Sequence, residues 1–330
     1  MPDMRSEASS DVFKVWLYAA ASVLLGAWIS PLLYNAGKAL AEVCATKQIN
    51  GPLEWLAGIC QTADFPRFFV AGLVISAAIL FLPFMQWQRG GRAGAGKNPW
   101  SFRLPEGARS RTGGQGLVKN PRGWRQAAAG FLLVTTLCLL VAGGLVLAGI
   151  IEWKNPGDGV AKLALRALAG ALGLAVLQEI LFRGIAMGIF LRAMRPAAAL
   201  GMSAVLFALV HFLNPPPGPN MIDPDAAGVG FELLQKIAVQ FSELRSVLGT
   251  FAPLLALGGV LAHARWRTAS LWLPIGLHAG WIFTHSILCG LTVAASRPDS
   301  ISWLISGAAL IAGILAKSLT RPADDTDTPA

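Results

Sequence analysis

The chain has 330 residues, of which 54% are hydrophobic and only 14% are charged, with a formal net charge of +9. A soluble domain of this length would carry more charge and shorter apolar runs, so the composition excludes an ordinary soluble protein. Several apolar runs reach about 20 residues, which is enough for a helix to span a hydrocarbon core. The strand alternation of a barrel does not occur in the sequence. We therefore predict an all-α, polytopic membrane helix bundle.

Eight candidate transmembrane helices follow one another along the chain. They cover roughly residues 12–34, 68–87, 127–151, 161–190, 197–213, 248–264, 270–290 and 300–317. The first span is too long for the core of a signal peptide, and acids rather than a basic segment precede it. We therefore expect that it is not cleaved.

Four segments make up the predicted domain organisation. Residues 1–87 form a two-helix membrane hairpin with an extracytoplasmic loop, and residues 88–126 form a basic, Gly-rich linker. Residues 127–317 form a six-helix unit, and residues 318–330 form a polar tail. The linker contains nine Lys and Arg residues but a single acid, Glu106, so it should lie in the cytoplasm together with both termini. The linker is rich in Gly and has no aromatic residues between its basic ones beyond Trp100 and Trp124, which argues against a nucleic-acid patch. We expect a flexible segment that sets the topology and can contact anionic lipid.

Two further features of the predicted outer surface concern loops. Cys44 and Cys60 share the first extracytoplasmic loop, where they either pair in a disulfide or remain unrelated thiols. A bridge between them would contribute very roughly 3 kcal/mol.

Residues 231–248 follow a Pro-rich loop and show apolar side chains at helical spacing, which predicts an amphipathic helix at the membrane surface.

Strongly polar side chains interrupt a few of the apolar spans. Glu179 and Arg183 lie on the fourth span at i, i+4 spacing with the acid first, the better orientation for a helical ion pair. A charge at the centre of a span costs about 2.5–3.5 kcal/mol on insertion scales, so such residues usually line a protein interior. The pair is compatible with a purely structural role as well as with a functional one.

Two histidines on other spans fall near this pair. Glu179 lies 17 residues before the turn at Pro196 and His211 lies 15 residues after it, so both are about 22–26 Å from that turn. His278 lies only about 12 Å from the start of its span near Ser270, which predicts a weaker third contact. A carboxylate beside a neutral imidazole in a partly dry cavity can activate water, and a second His can donate to an oxyanion.

The sequence around these residues resembles a known family. The stretches QEILFRG (178–184), FALVH (207–211) and LPIGLHAGWIF (273–283) are similar to the three motifs of the CAAX prenyl protease and bacteriocin-processing family of intramembrane proteases. The resemblance extends over roughly residues 127–317. It implies an α-helical bundle with a site that opens within the membrane. It also implies a glutamic-type endopeptidase that cleaves a membrane-associated substrate.

The resemblance assigns roles to individual residues. Glu179 and His211 would polarise the attacking water, and His278 would stabilise the oxyanion. The other motif positions are occupied by Gln178, Arg183, Phe207 and Ile282.

Two motif positions depart from the family pattern. Gln178 replaces the first Glu, which is usually cast as the base, and Gln cannot take a proton. Ile282 replaces an Asn and has no donor for an oxyanion. Either Glu179 turns inward and takes over as base, or the chain keeps the scaffold without the chemistry. His285, two turns after His278, either replaces the missing donor or only packs.

The remaining expectations concern ligands and location. We expect no cofactor and no metal, because no His-Glu-x-x-His run occurs, although two His and one Glu leave zinc open. Expected partners are a membrane-associated peptide or protein substrate and the lipid bilayer, in a bacterial cytoplasmic (inner) membrane, without nucleic acid. The alternatives to a peptidase are a catalytically impaired family member that binds a membrane peptide or lipid, and a proton-coupled transporter. Transporters often show repeats and interrupted helices, which the sequence does not show.

Overall fold

The structure is a computed structural model. It describes residues 4–48, 50–90, 122–154, 159–213, 215, 223, 224, 226 and 228–294. Most of the basic linker, the predicted eighth span and the polar tail lie outside the described residues. The chain divides into two compact units. Unit 1 comprises Met1–Pro99 and Phe212–Leu244, and unit 2 comprises Trp100–His211 and Arg245–Ala330.

Unit 1 is built on two long apolar helices. They are α1 (Met4–Lys47) and α3 (Phe65–Gly90), with α2 (Pro52–Thr62) packed against α1. Tyr18 on α1 donates a hydrogen bond to the Ala77 carbonyl on α3 at 2.8 Å. An otherwise unpaired phenol would be costly in an apolar bundle, so this bond favours one register of α1 on α3.

The predicted amphipathic helix is shorter than the sequence pattern suggested. Helix α8 (Val229–Val239) packs on α1 through a buried face that includes Leu233 and Ile237. A 3₁₀ turn (Gln240–Ser242) follows, and Glu243 is extended, so the prediction of one helix through residue 248 was wrong. The Ser242 hydroxyl donates to the Val239 carbonyl at 2.6 Å, a local bond that competes with continued helix.

Of the two alternatives left open for Cys44 and Cys60, the structure has the unpaired one, with both residues as free thiols. The Cys44 sulfur lies 3.9 Å from the Leu53 carbonyl oxygen, near the start of α2. The Cys60 sulfur would lie 3.2 Å from a Cβ added to Gly37. Positions 37 and 44 are separated by about 10 Å of helical rise, so the two thiols contact different parts of the α1–α2 pair.

Unit 2 holds most of the remaining elements. In chain order these are α4 (Gly123–Leu147), β1 (Ile151–Trp153), α5 (Val160–Glu179), α6 (Met187–Ala193), α7 (Pro196–Phe212), α9 (Leu244–Ser246), α10 (Ala252–Thr268), α11 (Trp272–Leu291) and β2 (Thr292–Ala294). The short strands β1 and β2 pair antiparallel. Helix α11 packs against α4 and α5 and is the central element of the unit.

Two π-helical segments lie within otherwise α-helical stretches. Ile180–Ala186 joins α5 to α6, and Val247–Phe251 joins α9 to α10. A π turn has i→i+5 hydrogen bonds, so it changes the face on which the following residues lie. The first π segment begins directly after Glu179 and contains Arg183.

Helices that could cross a membrane dominate the described chain. Five are long and apolar enough by length and composition: Ser9–Lys47, Phe65–Gln88, Gly123–Leu147, Val160–Ala193 and Val247–Thr268. Pro196–Phe212 is apolar but shorter. The protein is an all-α, integral membrane helix bundle, as predicted. The count of eight spans and the cytoplasmic placement of the termini stay predictions.

Two glycines let α11 approach α4 closely. A Cβ on Gly280 would lie 2.7 Å from the Phe131 carbonyl oxygen, and a Cβ on Gly276 would clash with the Ala127 carbonyl. Small residues four positions apart allow two helix backbones to come together within a membrane. Because His278 lies between the two glycines, this contact also fixes the direction of its side chain.

Candidate functional site

Glu179, the last residue of α5, is the centre of the site and is 0% exposed. Its Oε1 accepts a hydrogen bond from Arg183 Nη1 at 2.9 Å and lies 2.7 Å from His278 Nδ1. Its Oε2 is buried and has no hydrogen-bond partner among the described residues. One oxygen of the carboxylate therefore binds two neighbours, while the other accepts no hydrogen bond from the residues that the structure describes.

Arg183 ties three segments of unit 2 together. It forms the ion pair with Glu179 that the i, i+4 spacing predicts. Its Nη2 also donates to the Gly258 carbonyl on α10 at 3.2 Å. The guanidinium lies 4.3 Å from the ring centroid of Phe207 on α7, a cation–π contact. These contacts compensate a fully buried charge and hold the first π segment against α7 and α10.

His278 is fully buried on α11, and its contact with Glu179 is stronger than the sequence predicted. A tilt or a submerged start of its helix was needed to bring His278 level with Glu179, and α11 does begin inside the protein. Ala269, Ser270 and Leu271 are each at most 4% exposed, and every residue of Leu273–Gly280 is buried. His278 Nε2 is buried and has no hydrogen-bond partner among the described residues.

His211, in the last turn of α7, is oriented by its own helix. Its Nδ1 lies 2.8 Å from the Phe207 carbonyl oxygen, which can only accept, so Nδ1 carries a proton. The neutral ring then presents Nε2 as an acceptor. The ring centroid is 6.3 Å from that of His278. Among the described contacts, His211 reaches the site beside His278 and not through a hydrogen bond to Glu179.

The comparison with protein families agrees with this geometry. Residues 160–284 match the family model described as type II CAAX prenyl endopeptidase Rce1-like. This segment of the chain is similar to that family. The resemblance inferred from the three motifs is thereby confirmed, over a segment that starts with α5 and ends within α11. Comparisons with curated proteins and with solved structures gave no match.

The two departures from the motifs occupy defined places within the matched residues 160–284. Gln178 is half-buried, and its Oε1 is buried without a hydrogen-bond partner among the described residues. The next residue, Glu179, is the one that contacts His278. Ile282 is half-buried on α11, one turn after His278, and offers only an apolar side chain. Phe207 is fully buried, and its ring contacts those of His211 and His278.

A tryptophan that the motif analysis did not single out lies beside the histidines. The ring of Trp281 is 6.3 Å from that of His278, measured between centroids. On its other side, Trp281 stacks on His285 at 5.7 Å, and both His285 ring nitrogens are 3.8 Å from the Cys289 sulfur. The ring next to His278 on α11 is thus Trp281, whereas His285 lies beyond it. The spacing of three residues from His278 was the signal that could have identified it.

The grouping of possible ligand side chains bears on metal binding. Within the part of the chain that the structure describes, no group of three or more His, Cys, Asp or Glu side chains is arranged to hold a metal ion.

Proposed function

We propose that the protein is an intramembrane endopeptidase that hydrolyses a peptide bond of a membrane-associated substrate. The observation that carries this proposal is the hydrogen bond between Glu179 and His278, with His211 beside it. Three helices contribute these groups within an apolar bundle, and the Rce1-like match supports the reaction class. Buried ionisable groups brought together in this way are typical of functional sites in membranes.

Glu179 and His211 are suited to polarise the attacking water. Glu179 Oε2 is an acceptor without a partner among the described residues, and His211 Nε2 is an acceptor because Nδ1 faces a carbonyl oxygen. Gln178 cannot accept the proton. In this proposal Glu179 therefore acts as the general base, and its protonated form later gives the proton to the leaving amine.

His278 is suited to stabilise the oxyanion. When both ring nitrogens carry protons, Nδ1–H donates to Glu179 and Nε2–H donates to the substrate carbonyl oxygen as negative charge develops there. The Glu179 carboxylate stabilises this imidazolium. Because the site is buried, each of these electrostatic interactions is stronger than it would be in water.

We also propose a substrate class and a membrane location for the protein. The substrate is a peptide or protein associated with the bilayer, since Glu179 lies on Val160–Ala193, a helix long and apolar enough to cross a membrane. We assign the protein to a bacterial cytoplasmic membrane on the strength of the bacterial relatives that the motifs resemble. A prenylated CAAX substrate is not part of the proposal.

A second candidate function follows from the two departures. Gln178 and Ile282 lack the groups that the family motifs carry at these positions. A family member impaired in this way would bind a membrane peptide or lipid in the same cavity without cleaving it. The unpartnered polar atoms of Glu179 and His278 would then serve binding alone.

The test is cleavage of a membrane-peptide library by the purified full chain in lipid nanodiscs, with products identified by mass spectrometry. Glu179→Gln preserves shape and removes the base, so it should lower the rate by about 10²- to 10⁴-fold. Gly259→Ala is the matched control, because a Cβ there meets nothing within 4 Å. Peptide binding without cleavage would favour the second candidate. Cleavage that survives both Glu179→Gln and His211→Ala would contradict the proposed site.

A further inference from the structure

We propose that the Trp281 indole N–H is a second hydrogen-bond donor to the oxyanion, in place of the donor that Ile282 cannot supply. This role rests on the proposed peptidase function. It assigns to one residue of this chain the donor that the altered third motif lacks.

Helix geometry places Trp281 on the same face of α11 as His278. Residues three and four positions after His278 both lie on the same face of α11 as His278. The fourth position is Ile282, which has no donor, and the third is Trp281. A donor at the third position can therefore point to the same region as one at the fourth. The distance of 6.3 Å between the ring centroids of His278 and Trp281 agrees with this placement.

The hydrogen-bonding state of the indole is the second observation. Trp281 Nε1 is inaccessible to solvent and has no hydrogen-bond partner among the described residues. An indole N–H can only donate, and buried donors in native proteins are nearly always paired. His278 Nε2, on the neighbouring ring, is also buried without a hydrogen-bond partner among the described residues, and it donates when both ring nitrogens carry protons. Two nitrogens without partners among the described residues, on rings whose centroids are 6.3 Å apart, fit a site that receives one acceptor oxygen from a substrate.

The indole is also held in place. It stacks on the His285 imidazole with an interplanar angle of 25°, and His285 in turn contacts Cys289. Donors stabilise an oxyanion best when their orientation is fixed before the reaction. His285 is thus a positioning residue for Trp281 and not itself the donor.

The reaction balances with these residues alone. The water oxygen bonds to the substrate carbonyl carbon while one water proton moves to Glu179. The carbonyl oxygen becomes an anion that accepts hydrogen bonds from His278 Nε2–H and Trp281 Nε1–H. The C–N bond then breaks, the C=O bond reforms, and the leaving amine takes the proton from Glu179.

The test measures kcat and KM in nanodiscs for a peptide cleaved by the wild type. Trp281→Phe keeps an aromatic ring but removes the donor, so kcat should fall by about 10²- to 10³-fold while KM changes little. Adding Ile282→Asn to this variant restores a donor one position along, and kcat should recover at least about tenfold. Replacing Trp281 by benzothienylalanine, in which sulfur replaces the N–H of an otherwise isosteric ring, should reproduce the loss without disturbing packing.

Different outcomes would overturn the peptidase function and the role of Trp281. A wild type that cleaves nothing in the library overturns the peptidase function and this role with it. A cleaving wild type whose benzothienylalanine variant retains full kcat overturns the role of Trp281 alone. A loss in Trp281→Phe that the benzothienylalanine variant does not share would mean that the ring matters for packing only, which also overturns it.

Discussion

His278 and Glu179 are hydrogen-bonded at 2.7 Å although 99 residues separate them in the chain. The bond joins α11 to the end of α5, in a unit whose other contacts between helices are largely apolar. Arg183 shares the same carboxylate oxygen of Glu179, so one acceptor atom joins an imidazole and a guanidinium. Stability and chemistry therefore depend on the same residues, and substitutions have to be designed to separate the two.

Arg183→Ala tests the structural side of this cluster. Removing the guanidinium leaves the Glu179 carboxylate buried without its cationic partner Arg183, which typically costs several kcal/mol. Adding Glu179→Ala removes the stranded charge, so the double variant should give more folded protein than Arg183→Ala alone. Thermal unfolding in detergent and the monodisperse fraction in size-exclusion chromatography measure the difference. Equal losses in the two variants would mean that the residues do not depend on each other.

Gly276→Ala tests the contact that orients His278. The added Cβ would collide with the Ala127 backbone, which cannot move aside like a flexible side chain. Overpacking of this kind typically costs about 1–3 kcal/mol, so Tm in detergent should fall by several degrees. Gly173→Ala on α5 is the control, since a Cβ there meets nothing within 4 Å and Ala favours helix. A Gly276 variant as stable as this control would mean that α4 and α11 are not closely packed.

The membrane fold and the ion pair were predictable because their signals are local. Apolar runs of helical length indicate spans, and the spacing of Glu179 and Arg183 indicates a pair on one helix face. The three motifs also indicated the family, since the identity and order of a few residues suffice for that. None of these inferences depends on how the helices are rotated against one another.

The position of His278 and the first π segment were not predictable in the same way. Depth was counted at 1.5 Å per residue from an assumed membrane surface, but α11 begins at Trp272 in a part of the chain that is already buried. The turn after Glu179 is π-helical, whereas hydrophobic periodicity assumes 3.6 residues per turn. Both features arise from tertiary packing, which does not produce a periodic pattern in the sequence.

Topology remains a prediction from the distribution of Lys and Arg. A reporter fused after Gly96, within the basic linker, should read as cytoplasmic because nine basic residues oppose translocation of this segment. A reporter inserted at Pro217 should read as extracytoplasmic. A phosphatase and a fluorescent protein are fused in turn at each site, and together they show on which side of the membrane that site lies. The opposite side at either position would contradict the eight-span arrangement.

Gln178→Glu distinguishes an active enzyme from a scaffold that lacks its base. Because Glu179 already contacts His278, and its Oε2 has no partner among the described residues, we expect the wild type to be active and the variant to gain little. A second carboxylate beside Glu179 would add like-charge repulsion in a buried site, so the rate should stay level or fall. The measurement is kcat/KM on the same peptide for wild type, Gln178→Glu and Gln178→Ala. A gain of about 10²- to 10⁴-fold in Gln178→Glu, absent in Gln178→Ala, would instead show that the native chain lacks its general base.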